Sequence, residues 1–148
     1  MVAVLSLGSN VGDRQSHLRG GLEVIAAQVA VLAVSPTYET DPVGGIAQPA
    51  YLNCVALVDT SDAEEALAVA HLAEETRGRL RNRRWGPRTL DVDVIDVDGQ
   101  VRADPRLTLP HPRAHEREFV LRPWLDVAPE AQVPGHGPVW LLLRRVAA

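Results

Sequence analysis

The chain has 148 residues, of which 46% are apolar and 23% charged, with a net charge of −4 and one cysteine, Cys54. That size and balance fit a single domain over residues 1–148, exclude an internal disulfide, and argue against a nucleic-acid partner, because the overall field does not attract phosphate backbones. No apolar run approaches the ~18 residues of a membrane span and the N-terminus has no basic leader, so a cytoplasmic protein, away from membranes and monomeric, is expected.

Val2 to Leu7 is a weakly alternating apolar run that reads as a buried strand, and Gly8-Ser9-Asn10-Val11-Gly12-Asp13 reads as the turn after it. From Arg14 the apolar residues Leu18, Leu22, Ile25, Ala26 and Val29 recur at helical spacing. The Gly20-Gly21 pair weakens that helix by up to ~1 kcal/mol per glycine. Val29 to Thr40 reads as one long strand, Asp41 to Pro49 as a loop rich in Pro and Gly, and Tyr51 to Asp59 as a strand pairing back. Ser61 with Glu64 fits a capping box for a helix carrying Ala66, Leu67, Ala70 and Ala73 and ending near Gly78.

An arginine-rich loop runs from Arg79 to Arg88, and a strand from Thr89 to Val97. Asp98-Gly99 is a two-residue hairpin turn into a strand beginning at Val101. Pro110, Pro112, Pro123 and Pro129 leave room for one short helix around Phe119 to Asp126, while the amphipathic last ten residues carry no assignment. Strand, helix, two strands, helix, strand predicts an α+β fold: a ferredoxin-like core whose mainly antiparallel sheet has helices packed on it.

All 15 basic residues are arginine, so any chemistry that needs a lysine is ruled out. Five of them, Arg79, Arg81, Arg83, Arg84 and Arg88, crowd into ten residues just ahead of Asp91-Val-Asp93. On a strand the side-chain period is two, so Asp91 and Asp93 share a face, and simple alternation sends Asp96 to the other. Two co-facial carboxylates suit Mg²⁺, which takes one or two carboxylates together with substrate oxygens. Carboxylates beside arginine forks repel a bare phosphate unless a metal lies between, so the combination points to a metal-nucleotide. Without a Gly-x-x-x-x-Gly-Lys motif, the nucleotide must be held by arginines and metal.

Tyr51 and Asn53 share a strand face and offer an aromatic plate beside an amide that both donates and accepts, which suits a flat heterocycle. The alternative is that Tyr51 belongs to the core and Asn53 caps the strand. His111 and His115 are four apart, but Pro110 and Pro112 oppose the helix that a zinc pair needs. An RNA-binding module built on the arginine loop would want exposed aromatics and a basic surface; the chain has 4% aromatics and a negative charge. Site chemistry alone does not separate γ-phosphoryl transfer from diphosphoryl transfer.

Four runs, Leu7-Gly-Ser-Asn-Val-Gly-Asp13, Gln48-Pro-Ala-Tyr-Leu-Asn53, Arg84-Trp-Gly-Pro-Arg-Thr-Leu-Asp-Val-Asp93 and Leu109-Pro-His-Pro-Arg113, resemble the hydroxymethyldihydropterin pyrophosphokinases in order and spacing. The resemblance implies diphosphate transfer from ATP to 6-hydroxymethyl-7,8-dihydropterin. In it Asp91 and Asp93 hold two Mg²⁺ ions that bridge the ATP phosphates, and with Arg79 and Arg88 they form the catalytic set. Arg79, Arg81, Arg88 and Trp85 lie on a loop that closes over ATP, with Trp85 also reaching the pterin. Arg88, His111 and Arg117 contact phosphate. Tyr51 and Phe119 sandwich the pterin ring, Asn53 reads its edge, and backbone from Thr40 through Pro42 and Val43 completes the recognition. Val94, Arg106 and Thr108 line the adenine pocket, with His71 and Glu74 nearby on the second helix. Departures are Pro112 where some members have tyrosine, His71 where some have glutamine, and an arginine loop one residue shorter than in some.

Overall fold

The computed structural model describes residues 1–40, 50–79 and 89–147. A mostly apolar run makes β1 (Val2–Ser9), followed by α1 (Arg14–Gln28), whose N-cap Asp13 accepts a hydrogen bond from the Ser16 amide. The expected long strand is two: β2 (Ala30–Val34) and β3 (Tyr38–Thr40). Pro36 has no N–H to donate, and the chain breaks around it. Ser35 holds the break, its amide donating to the Val55 carbonyl at 2.9 Å and its hydroxyl accepting from the Val55 amide at 2.9 Å.

β4 (Tyr51–Asp59) leads into α2 (Ala63–Arg79). The cap of α2 is Asp62 rather than Ser61: its carboxylate accepts from the Glu65 amide at 2.8 Å, and Glu65 in turn accepts from the Ser61 amide at 2.9 Å. The cap lies one residue later than expected, and the return bond from Glu65 goes to the residue before the cap, where a capping box would use the cap's own amide. β5 (Asp91–Val97) ends in the Asp98-Gly99 turn, where both residues have positive φ. The turn has the expected chemistry, but the next strand, β6 (Arg102–Asp104), pairs with β7 (Leu107–Leu109) and not with β5. After a 3-10 turn (Ala114–Glu116) come α3 (Glu118–Val127), the short pair β8 (Gln132–Val133) and β9 (Gly137–Pro138), and α4 (Val139–Ala147). The amphipathic end of the chain is therefore a helix.

The main sheet runs β2-β4-β1-β5, every pairing antiparallel, with β3 added alongside β4. This is the strand order of a ferredoxin-like core, as the element order predicted. One face, through Leu5, Leu7, Ala56, Val92 and Val94, packs on α1 and α2. The small residues Ala66, Ala70 and Ala73 let α2 lie close to the sheet. The other face, through Val4, Val55 and Ile95, packs on α3 and α4, where Trp124 is 1% exposed. Removing a buried side chain of that size costs about 3–5 kcal/mol.

Gly20 and Gly21 do more than weaken α1. A Cβ on Gly21 would lie 2.5 Å from Leu90 Cδ2, and one on Gly20 would run into the Arg77 guanidinium. The pair is a notch that admits one side chain from α2 and one from the segment leading into β5.

A β-bulge also corrects the parity reading of Asp96. Asp91 lies opposite Gly8 and Asp93 opposite Ser6, but the register then skips Ile95, and Asp96 lies opposite Val4. The extra residue returns Asp96 to the face of Asp91 and Asp93. It is nonetheless buried at the far end of the strand, where it accepts from the Gly99 amide at 3.2 Å.

Candidate active site

The layer of α3 and α4 covers only one end of its sheet face. At the other end β1, β4 and β5 carry Gly8, Tyr51, Asn53, Asp91 and Asp93 into an open cavity of about 1070 Å³. Gly8 pairs with Asn53 on one side and Asp91 on the other, so the Asn53 amide and the first carboxylate flank a single glycine. The approach is close: a Cβ on Gly8 would sit 2.9 Å from Asn53 Oδ1 and 3.6 Å from Tyr51 Cδ1. Asn53 is 3% exposed and donates from Nδ2 to Thr40 Oγ1 at 2.7 Å, which fixes the side of its amide that faces the cavity. Thr40 and Tyr51 are themselves paired across β3 and β4.

Asp91 and Asp93 form the acidic wall. Burial, and after it the charge of Asp91, raises the Tyr51 hydroxyl above its ordinary range, which keeps that ring neutral beside the carboxylates. Among the described residues no cluster of three His, Cys, Asp or Glu side chains is available to enclose a metal. Two hard carboxylates opening on a cavity fit a cation that completes its shell with substrate oxygens, as Mg²⁺ does. β5 is an edge strand, and the outward-facing Val92 amide, between the two aspartates, donates to Glu74 Oε2 at 3.0 Å. Ser9 Oγ donates to the Thr89 carbonyl at 2.6 Å just before the strand begins.

His111 reaches β5 through its own amide, which donates to the Ile95 carbonyl at 2.9 Å. Its Nδ1 accepts from the Arg113 amide at 3.2 Å, which leaves the ring proton on Nε2. Burial lowers the imidazole below its usual value; Asp93 opposes this, and Arg117 and Arg113 reinforce it. The start of α3 forms another wall of the cavity. Phe119 stands in its first turn, and the Arg117 guanidinium lies 5.5 Å from the Phe119 ring centroid.

Several cavity residues lie outside the sequence-derived set: Ser6, Gly8, Tyr38, Arg113 and Arg122. Gly8 and Arg113 lie within the runs that carry the resemblance, but their place in the cavity depends on neighbours brought up by the fold. Tyr38 donates to Asp126 at 2.5 Å and so ties β3 to α3, a contact across 88 positions that no local pattern encodes. Arg122 is engaged with Glu118 at 2.6 Å.

The residues expected around the adenine lie on β5, on α2 and in the β6–β7 hairpin. Val94 is 6% exposed in the core, Thr108 Oγ1 donates to the Asp104 carbonyl at 3.0 Å, and Arg106 pairs with Glu64 at 3.3 Å. His71 and Glu74 line a second, smaller cavity of about 350 Å³ with Thr89 and Leu90. Pro42, Val43, Arg81, Trp85 and Arg88 lie outside the described residues, as does the side chain of Arg79. No described helix is long and apolar enough to cross a membrane.

Residues 4–129 match the model of the family 7,8-dihydro-6-hydroxymethylpterin-pyrophosphokinase. The 2-amino-4-hydroxy-6-hydroxymethyldihydropteridine pyrophosphokinase of Mycobacterium tuberculosis is 45% identical over 154 aligned positions, covering 95% of this chain and 81% of that protein. The enzyme of the same name from Bacillus subtilis is 39% identical over 134 positions, covering 88% of this chain and 80% of its own. Among solved structures, wild-type Plasmodium falciparum HPPK-DHPS superposes with a TM-score of 0.71 at 13% identity. That match takes in 97% of this chain but only 44% of the Plasmodium chain, and it supports the fold.

Proposed function

The chain belongs to the 7,8-dihydro-6-hydroxymethylpterin pyrophosphokinase family, and from that membership and the cleft beside β5 we infer how it works. It transfers a diphosphate from ATP to the hydroxymethyl group of 6-hydroxymethyl-7,8-dihydropterin, a step of folate biosynthesis that leaves AMP. The single observation that carries the site assignment is that Asp91 and Asp93 open on the same cavity as Tyr51, Asn53 and Phe119. A nucleotide-metal site and a heterocycle site therefore share one space.

We assign the pterin to the slot between Tyr51 and Phe119. Both rings are large and apolar, and stacking on them leaves the pterin edge free for hydrogen bonds. Asn53, already oriented by Thr40, supplies a carbonyl and an amide to that edge, as donor-acceptor pairing requires. The ring stacks without charge transfer to the protein, so a neutral Tyr51 serves better than a phenolate.

Asp91 and Asp93 are assigned two Mg²⁺ ions. Metal bound there would neutralise charge on the ATP phosphate oxygens and draw the β-phosphorus toward the pterin alcohol. Arg117, beside Phe119, faces the same space with a fork suited to phosphate. We assign Arg79, Arg81, Arg88 and Trp85 to the same task from the sequence. His111, held neutral by burial, offers Nε2–H as a hydrogen-bond donor to a phosphate oxygen. The hydroxymethyl oxygen bonds to the β-phosphorus as the bond from that phosphorus to the oxygen bridging the α-phosphate breaks. The alcohol proton passes to solvent. A loose transition state asks little of a general base, and alignment and charge neutralisation dominate.

The reaction type is tested by nucleotide analysis. Incubation with ATP, Mg²⁺ and the pterin should yield AMP and pterin diphosphate in equal amounts. ADP in place of AMP would reject attack on the β-phosphorus.

A further inference from the structure

Arg14 is the first residue of α1, where a cation opposes the positive end of the helix dipole. Its side chain does not serve the helix. Nη1 donates to the Ala50 carbonyl at 2.7 Å, and Nη2 donates to Glu39 Oε2 at 3.2 Å. These two acceptors stand at the two ends of the connection between β3 and β4. Glu39 immediately precedes Thr40, and Ala50 immediately precedes Tyr51.

One guanidinium thus grips both strands where they enter the cavity. Thr40 and Tyr51 are register partners, and Thr40 Oγ1 is the acceptor that orients Asn53. The exposed ion pair with Glu39 is screened and weak on its own. The bond to the Ala50 carbonyl is partly buried and has a charged donor, so it is the stronger contact. Only a planar fork reaches both partners from one fixed position; a lysine ammonium is a single point of charge on a flexible stem.

We propose that Arg14 is a positioning residue for the pterin acceptor, tying the ends of β3 and β4 together beyond their backbone ladder so that Thr40, Tyr51 and Asn53 meet the ring together. The proposal rests on the assignment of the pterin to Tyr51, Asn53 and Phe119. It does not assign Arg14 a contact with either substrate.

The test measures binding of 6-hydroxymethylpterin by its fluorescence, in the presence of Mg²⁺ and a non-hydrolysable ATP analogue, together with KM for both substrates and Tm. Arg14→Ala should weaken pterin binding about tenfold, the loss of roughly one hydrogen bond to a charged group, and leave the KM for ATP within about twofold. Arg14→Lys should fall between the wild type and Arg14→Ala. A merely structural role would lower Tm and weaken both substrates alike, and that result overturns the proposal, as does unchanged pterin affinity. If Arg14→Ala does not fold, Arg14→Lys decides: a loss confined to the pterin upholds positioning, and no loss or an equal loss for both substrates rejects it. Tyr51→Ala reports on the underlying assignment. Pterin binding unaffected by Tyr51→Ala rejects the assignment and the proposal with it, whereas binding lost in Tyr51→Ala but kept in Arg14→Ala rejects the proposal alone.

Discussion

Gly8 and Asn53 face each other across β1 and β4 with no room for a methyl group between them: a Cβ on Gly8 would lie 2.9 Å from Asn53 Oδ1. The Gly8 backbone is one that any residue adopts, so Gly8→Ala introduces a clash and no backbone strain. The carbonyl of Asn53 must turn away, and the edge it presents to the pterin turns with it. A displacement of that kind costs on the order of 10²-fold in kcat/KM. The expected outcome is a large loss in kcat/KM for the pterin with KM for ATP nearly unchanged and Tm lowered by only a few degrees. Equal losses for both substrates would remove Gly8 from the pterin side of the cavity.

Asp91→Asn and Asp93→Asn each halve the anionic site while preserving its shape. Both should lower turnover by orders of magnitude and raise the Mg²⁺ concentration needed for half-maximal rate. Mn²⁺ binding followed by electron spin resonance gives an independent reading, and each variant should bind the ion more weakly. Wild-type Mn²⁺ affinity in either variant would detach that carboxylate from the metal.

Asp96 shares the face of those two aspartates and still behaves differently. Burial, first, then repulsion from Asp98, raise its carboxyl above the usual value, although the Gly99 amide works the other way. One carboxylate oxygen has no hydrogen-bond partner. A raised folded pKa means that the folded form binds the proton more tightly than the unfolded one. The associated stability is complete below the unfolded value near 3.8 and is lost as pH rises through the folded value. Asp96→Asn removes a buried charge at neutral pH and keeps an acceptor for Gly99. Tm should therefore rise at pH 7, with the gain fading as pH falls toward 4, and turnover should stay within about twofold, as for a change remote from the reacting groups. A turnover loss matching that of Asp93→Asn would bring Asp96 into the site.

Much of this molecule was legible in local pattern. Apolar runs marked β1, β4 and β5, helical spacing marked α1 and α2, and Asp98-Gly99 announced a turn whose two residues do take positive φ. Pro36 could have divided the strand from Val29 to Thr40, since its missing donor is a local fact. The bulge at Ile95 could not be read in advance, because it exists only in the pairing of β5 with β1. The same holds for the site. Asp91, Asp93, Tyr51 and Asn53 are conspicuous by spacing, whereas Arg14, Tyr38 and Gly8 acquire their meaning from partners brought up by the fold.

The notch at Gly21 has a bearing on how such a chain can vary. Leu90 sits in it immediately before Asp91, and the Ser9 hydroxyl grips the residue before Leu90. The start of β5 is thereby pinned to α1 and β1, independently of the segment that delivers it from α2. Residues can be gained or lost between positions 80 and 88 without dragging the carboxylates along, at a closure cost of only about 0.6 kcal/mol for each doubling of length. The arginine-bearing segment is in this sense free to differ in length, and a one-residue shortening of the kind the family resemblance implies is a change that such an anchorage absorbs.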